Sequence, residues 1–246
     1  MARLLGKVLA AVVAAAVGAA LALQGAEVWS ASDSVVVALI VTAAVLAAGS
    51  TGISAGAEFR ARRLGERREF ADVVLTATHW AIADASGFGY RDLGLAAYRV
   101  QRVWWAPAGQ RLVRVHRRRA QSRQVATSIT WAPGKGVIGS CVSQQQVVAT
   151  DLRAIWDAMW PCTEHEWNTV APPEARLGLS YAEFVDVRDK YDVVVAAPML
   201  DDTRSVTRTV GCVALDGPSG SLDRLSADDI LRLLDSAARS LLHQGR

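Results

Sequence analysis

Cysteine is scarce in this chain of 246 residues: Cys141, Cys162 and Cys212 are the only three. An odd, irregularly spaced set does not make the disulfide framework of a small secreted domain, and it fits a reducing compartment. A strong net charge is also lacking. The formal value is only +3, so no global field singles out a partner. Charge of either sign is absent from 35–57, and Lys7 alone interrupts the apolar run 4–23. Lys and Arg are missing from the loop between the two runs, 24–34, which carries Glu27, Trp29 and Asp33.

These absences define the N-terminal part. A bilayer core of about 30 Å needs about 20 helical residues, and both runs reach that length. Ala14, Gly18, Ala22, Gly49 and Ala55 are small enough to let two helices approach closely. Arg3 and Lys7 precede or open the first run, and Arg60, Arg62, Arg63, Arg67 and Arg68 come after the second. Basic flanks favour the cytoplasmic side. The expectation is a transmembrane hairpin over 1–57 (spans 4–23 and 35–57) with both termini inside. A juxtamembrane helix over 58–69 and a cytoplasmic domain over 70–246 come next. The chain is thus expected in the cell membrane, multi-pass, with membrane lipids as partners. A signal peptide over 1–23 is the competing reading, on its basic start and Ala-Leu-Ala end.

Beyond residue 57 the composition is that of a globular domain, and roughly 190 residues suffice for a core. Apolar spacing predicts a helix over 58–84, broken by Ser86-Gly87-Phe88-Gly89. Strands are predicted over 93–105 and 111–117 as a hairpin, then a short helix over 137–144 and a strand over 147–151. The Trp-rich stretch 152–180 has no clear period. A helix over 181–188, strands over 192–200 and 210–216, and an amphipathic helix over 226–243 with Ser226 as N-cap complete the order. Hairpin-paired strands with segregated helices make an α+β domain around an antiparallel sheet.

Four segments in this order resemble a known family: Gly134-Lys135-Gly136-Val137-Ile138-Gly139, Val147-Val148-Ala149-Thr150-Asp151, Val193 to Met199, and Val210-Gly211-Cys212-Val213-Ala214-Leu215-Asp216. Their order and spacing are similar to those of GAF domains, over roughly 70–242. The resemblance implies a six-stranded antiparallel sheet with helices on one face. It also implies a small-molecule pocket on the other face, under loops and short helices. Members are mostly sensory or regulatory modules, and the fold does not name the ligand.

Several residues invite chemistry. Gly134-Lys135-Gly136 lacks the earlier glycine and the following Ser or Thr of a phosphate loop, so it reads as a structural turn. Cys162 and His165 lack the further ligands of a zinc site and the Cys-His adjacency usual in bilin-binding GAF domains, and the cofactor stays unknown. Some GAF proteins reduce free methionine sulfoxide with a thiolate. Cys141 and Cys162 are displaced from the positions that family uses, so the chain is expected not to be an enzyme. The arginines from Arg111 to Arg123 read as a solvated hairpin rim, with anionic lipid as the alternative contact. They have no stacking partners for nucleic acid. Aromatic clustering places the expected ligand site at Cys141, Trp160, His165, Trp167 and Tyr181.

The expectation is therefore a membrane-anchored sensory or regulatory protein that binds a small molecule or a signalling protein. The alternative is an effector whose spans oligomerise on ligand binding. No output domain is expected after the last helix, so signalling passes to a partner, through the spans or through dimerisation. A homodimer is expected along Phe70, Val73, Ala77 and Trp80 of the first helix, with Ile230, Leu233, Ala237 and Leu241 of the last.

Overall fold

The structure is a computed structural model that describes residues 65–103, 109–119, 127–203 and 205–243, with Gly18, Ala22 and Val41 as isolated positions. The expected hairpin and the start of the juxtamembrane helix otherwise lie outside the described residues. Among the described residues no helix is long and apolar enough to cross a membrane. The chain divides into two compact units, Met1–Gly65 and Glu66–Arg246, and the sheet with the layers on its two faces belongs to the second.

Residues 65–86 are helical (α1). The hairpin β1 (Gly94–Arg102) and β2 (Gln110–Arg119) comes next, then α2 (Gly136–Gln144) and β3 (Val148–Asp151). Four short helices succeed them: α3 (Leu152–Asp157), α4 (Glu164–Thr169), α5 (Pro173–Arg176) and α6 (Tyr181–Val187). The chain then forms β4 (Val193–Asp201), β5 (Arg208–Gly217), α7 (Leu222–Leu225) and α8 (Asp228–His243). All strands pair antiparallel in the order β2-β1-β5-β4-β3. The described sheet thus has five strands where the resemblance implies six.

Both faces of the sheet are covered, which explains the unbroken apolar run of β4: neither parity of its side chains meets water. Leu95, Ala97, Val193, Val195, Val213 and Leu215 form one core with α1 and α8. Ala96, Val194, Ala196, Cys212 and Ala214 form the other with α2 to α6. On the first side α1 buries Ala71, Leu75, His79 and Ile82, one face of a 3.6-residue period. Val73 and Trp80 of the same helix stay exposed. In α8, Ile230, Leu234, Ala237 and Leu241 are all buried within the domain. Most of the stripe expected at a dimer seam on α8 therefore packs on its own sheet. Arg99 completes this side by donating from Nη2 to the Leu241 carbonyl at 2.6 Å, satisfying an acceptor in the last turn of α8.

Ser226 does not cap α8. Its hydroxyl donates to the Leu222 carbonyl at 2.8 Å and closes α7, and α8 begins at Asp228. The stretch 152–180 lacks a long period because it is built of single turns, each with its own stop and start. Thr163 with Glu166 and Ser180 with Glu183 are reciprocal capping boxes opening α4 and α6. Two buried indoles organise these turns: Trp156 Nε1 donates to the Ala175 carbonyl (3.1 Å) and Trp167 Nε1 to that of Leu179 (3.2 Å).

The hairpin carries one irregularity with consequences for the site. Ala97 pairs with His116 and Tyr98 with Arg114, so Val115 is an extra residue in β2. A bulge reverses the alternation of side chains beyond it. Opposed residues share a face, so Arg117 (opposite Ala96) and Arg119 (opposite Gly94) turn to the α2 side. His116 and Arg118 turn to α1, where both contact Asp72 at 2.9 and 3.4 Å. The arginine run is therefore not a uniformly solvated rim.

Candidate ligand-binding site

A partly open cavity lies between the sheet and the α2–α6 layer. Its floor is Ala96, Val194 and Ala214, where small side chains leave room. Trp131, Trp156, Tyr98 and Tyr191 contribute aromatic surface, and Val137, Ile138, Leu177 and Leu179 come from the covering segments.

Local sequence explains the cover. Gly136 has φ +65°, and a Cβ there would meet the Trp131 ring at 2.6 Å. Its N–H donates to the Leu177 carbonyl at 2.7 Å, tying the glycine loop to the end of α5. Lys135 Nζ bonds Glu183 Oε1 at 2.8 Å, which fastens the same loop to α6. Burial pushes the Glu183 carboxyl up, but Lys135 and the Ser180 N–H together hold it below its ordinary value.

One end of the cavity is charged. Arg117 and Asp216 both border it. Asp216 Oδ1 lies 3.6 Å from Arg117 Nη2, and Oδ2 lies 3.2 Å from Arg119 Nη1. The side chains are 17%, 9% and 20% exposed for Arg117, Asp216 and Arg119. Neither contact has hydrogen-bond geometry. Among the described residues, Arg117 Nε and Nη2 and Arg119 Nε and Nη1 are buried without a hydrogen-bond partner. Gly94 makes this cluster possible: it pairs with Arg119 on one side and Asp216 on the other, and a Cβ there would stand 2.5 Å from Asp216 Oδ1. The Arg117 guanidinium lies 5.9 Å from the Tyr191 ring centroid. Burial pushes the Tyr98 hydroxyl far up, so it stays protonated and able to donate.

None of the five residues expected at the site borders this cavity. Trp167 is fully buried and stacks on Phe184, centroids 4.1 Å apart. Cys141 is a fully buried residue of α2, packed in the core. Tyr181 donates from its hydroxyl to the Cys162 carbonyl at 3.0 Å. Trp160 is 44% exposed, with the Arg188 guanidinium 3.6 Å above its ring. His165 is exposed on α4. Of the Trp-rich stretch 152–180, Trp156 borders this cavity, while Trp160 and Trp167 do not.

The residues that do border the lumen at its charged end were hidden for two reasons. The bulge that turns Arg117 inward has no mark in the sequence. Asp216 closes an apolar strand, where a carboxylate reads as the first residue of a turn.

The cysteines do not open onto the cavity either. The Cys141 thiol beside it, together with burial, holds the Cys212 thiol well above its ordinary value. Among the described residues no group of three or more His, Cys, Asp or Glu side chains is placed to hold a metal ion.

No protein-family model matches the sequence, and no curated protein does. Among solved structures the chain is similar to a type II free methionine-R-sulfoxide reductase from Thermoplasma acidophilum, at 10% identity and TM-score 0.39, covering 71% of this chain and 94% of that one. It is similar to the reduced form of fRMsr of Staphylococcus aureus, at 13% identity and TM-score 0.37, covering 74% and 94%. A structure of the GAF domain matches at 11% identity and TM-score 0.37, covering 71% and 88%. Identities this low transfer no activity or ligand. The described domain is an α+β fold, an open five-stranded antiparallel sheet with unlike helical layers on its two faces.

Proposed function

We propose that this protein is a membrane-anchored regulator whose GAF-like domain binds a small molecule in the cavity over Ala96, Val194 and Ala214. The cavity carries the reading: it is apolar, partly aromatic and furnished at one end with a few converging polar groups, the usual make-up of a small-molecule site. The anchor rests on the two uncharged runs and their basic flanks. In this reading the domain faces the cytoplasm, and copies held in one membrane plane meet along the exposed Val73 and Trp80 side of α1.

The test is native mass spectrometry of the full chain released from lipid nanodiscs, with thermal unfolding measured before and after extraction of small molecules. A retained compound whose removal lowers the unfolding temperature supports the reading. A chain that carries nothing, and whose unfolding responds to no added small molecule, removes it.

A further inference from the structure

Arg117 and Asp216 border an otherwise apolar cavity, and Arg119, outside its lining, stands against the second oxygen of Asp216. The three groups are poorly matched to one another. Asp216 offers two oxygens, and neither accepts a well-aligned bond from the guanidinium nearest it. Four buried N–H-bearing atoms of Arg117 and Arg119 therefore lack an acceptor among the described residues. Buried donors without acceptors cost free energy, and native structures tolerate few of them without a functional reason.

We propose that the cavity selects an organic monoanion, a carboxylate carried on a flat apolar body, with Arg117 as its charge partner. This rests on the small-molecule reading above. Arg117 borders the cavity, and a planar two-oxygen group matches a guanidinium fork. The apolar body lies against Trp131, Trp156 and Tyr191. A cation is disfavoured because Asp216 already faces two arginines. A phosphate ester is disfavoured because its second charge would add to the repulsion from Asp216, which borders the cavity beside Arg117. Lys135, on the glycine loop, is committed to Glu183 and does not offset that repulsion.

The experiment is isothermal titration calorimetry of the full chain in lipid nanodiscs, with empty nanodiscs as blank. The probes are benzoate, phenylacetate and indole-3-acetate, their three neutral amides, and phenyl phosphate. The expected result is that at least one acid binds about tenfold tighter than its amide and tighter than phenyl phosphate, and that Arg117→Met weakens that acid by about tenfold or more. An amide that binds as well as its acid, tighter binding of phenyl phosphate, or unchanged acid binding by a folded Arg117→Met variant overturns the proposal and leaves the small-molecule reading standing. If Arg117→Met does not fold, the acid–amide comparison in the unsubstituted chain decides alone. Absence of binding by every probe overturns the proposal, and native mass spectrometry separately decides the broader reading.

Discussion

Arg119 and Asp216 lie on strands that do not touch, yet their side chains come within 3.2 Å because the residue between them in register is Gly94. A methyl group at that position would stand 2.5 Å from Asp216 Oδ1. Gly94→Ala should therefore push Asp216 off its arginines and cost about 1–3 kcal/mol, the range for overpacking a filled site. Urea unfolding monitored by circular dichroism checks this. A loss within about 0.5 kcal/mol of zero, the range of an inconsequential substitution, would mean that the carboxylate has room to move.

The expected site residues separate into packing and surface groups. Trp167→Ala removes a fully buried indole stacked on Phe184, and stability should fall by about 3–5 kcal/mol. His165→Ala changes an exposed side chain two residues away, and its effect should stay within about 0.5 kcal/mol. Thermal or urea midpoints of the two variants measure the contrast.

His79 is fully buried, stacks on Tyr90 at 4.0 Å, and is held below its ordinary value of 6.5 mainly by burial. Asp216 and the backbone near Tyr90 oppose that shift, and Arg118 adds to it. As pH falls through about 6.5 the unfolded chain takes up the proton first, so folding loses stability with acid until His79 also titrates in the folded state. His79→Phe should remove this part of the loss. Urea midpoints of both proteins at about pH 7.5 and about pH 5, either side of the ordinary histidine value, give the comparison, and equal slopes would count against it.

The thiols should differ in reach. Cys141 and Cys212 are fully buried, whereas Cys162 is half-buried. A chromogenic disulfide reagent should modify one thiol per chain under native conditions and three after denaturation. Three fast thiols in the native state would show that the α2 layer opens readily.

Contact between copies in the membrane is read by cross-linking. Cysteines placed singly at Val73, Ala77 and Trp80 should cross-link in membranes, and one at the buried Leu75 should not. Labelling from outside completes the topology: a cysteine in 24–34 should react and one at Ala61 should not.

Legibility in the sequence depended on periodicity. The 3.6-residue stripes of α1 and α8 and the apolar runs of β4 and β5 each repeat one pattern over two or more turns or strand repeats, so the α+β layering could be read. The segment 152–180 could not be read that way, because single-turn helices are too short to show a period. Its starts were nevertheless written in Thr163-x-x-Glu166 and Ser180-x-x-Glu183, a signal that periodicity alone passes over. The inward turn of Arg117 was beyond reach, since it depends on which residue of β2 is left unpaired, and that is decided by pairing with β1 rather than by β2 itself.

The floor of the cavity is alanine at two of its three positions, Ala96 and Ala214. Both belong to the central strands β1 and β5, which pair directly there. On the proposed small-molecule reading, guest size is therefore graded from below, by side chains on two directly paired strands. Chains of the same design can be tuned to larger or smaller guests by exchanging Ala, Val or Leu at 96 and 214, with strand pairing and register untouched.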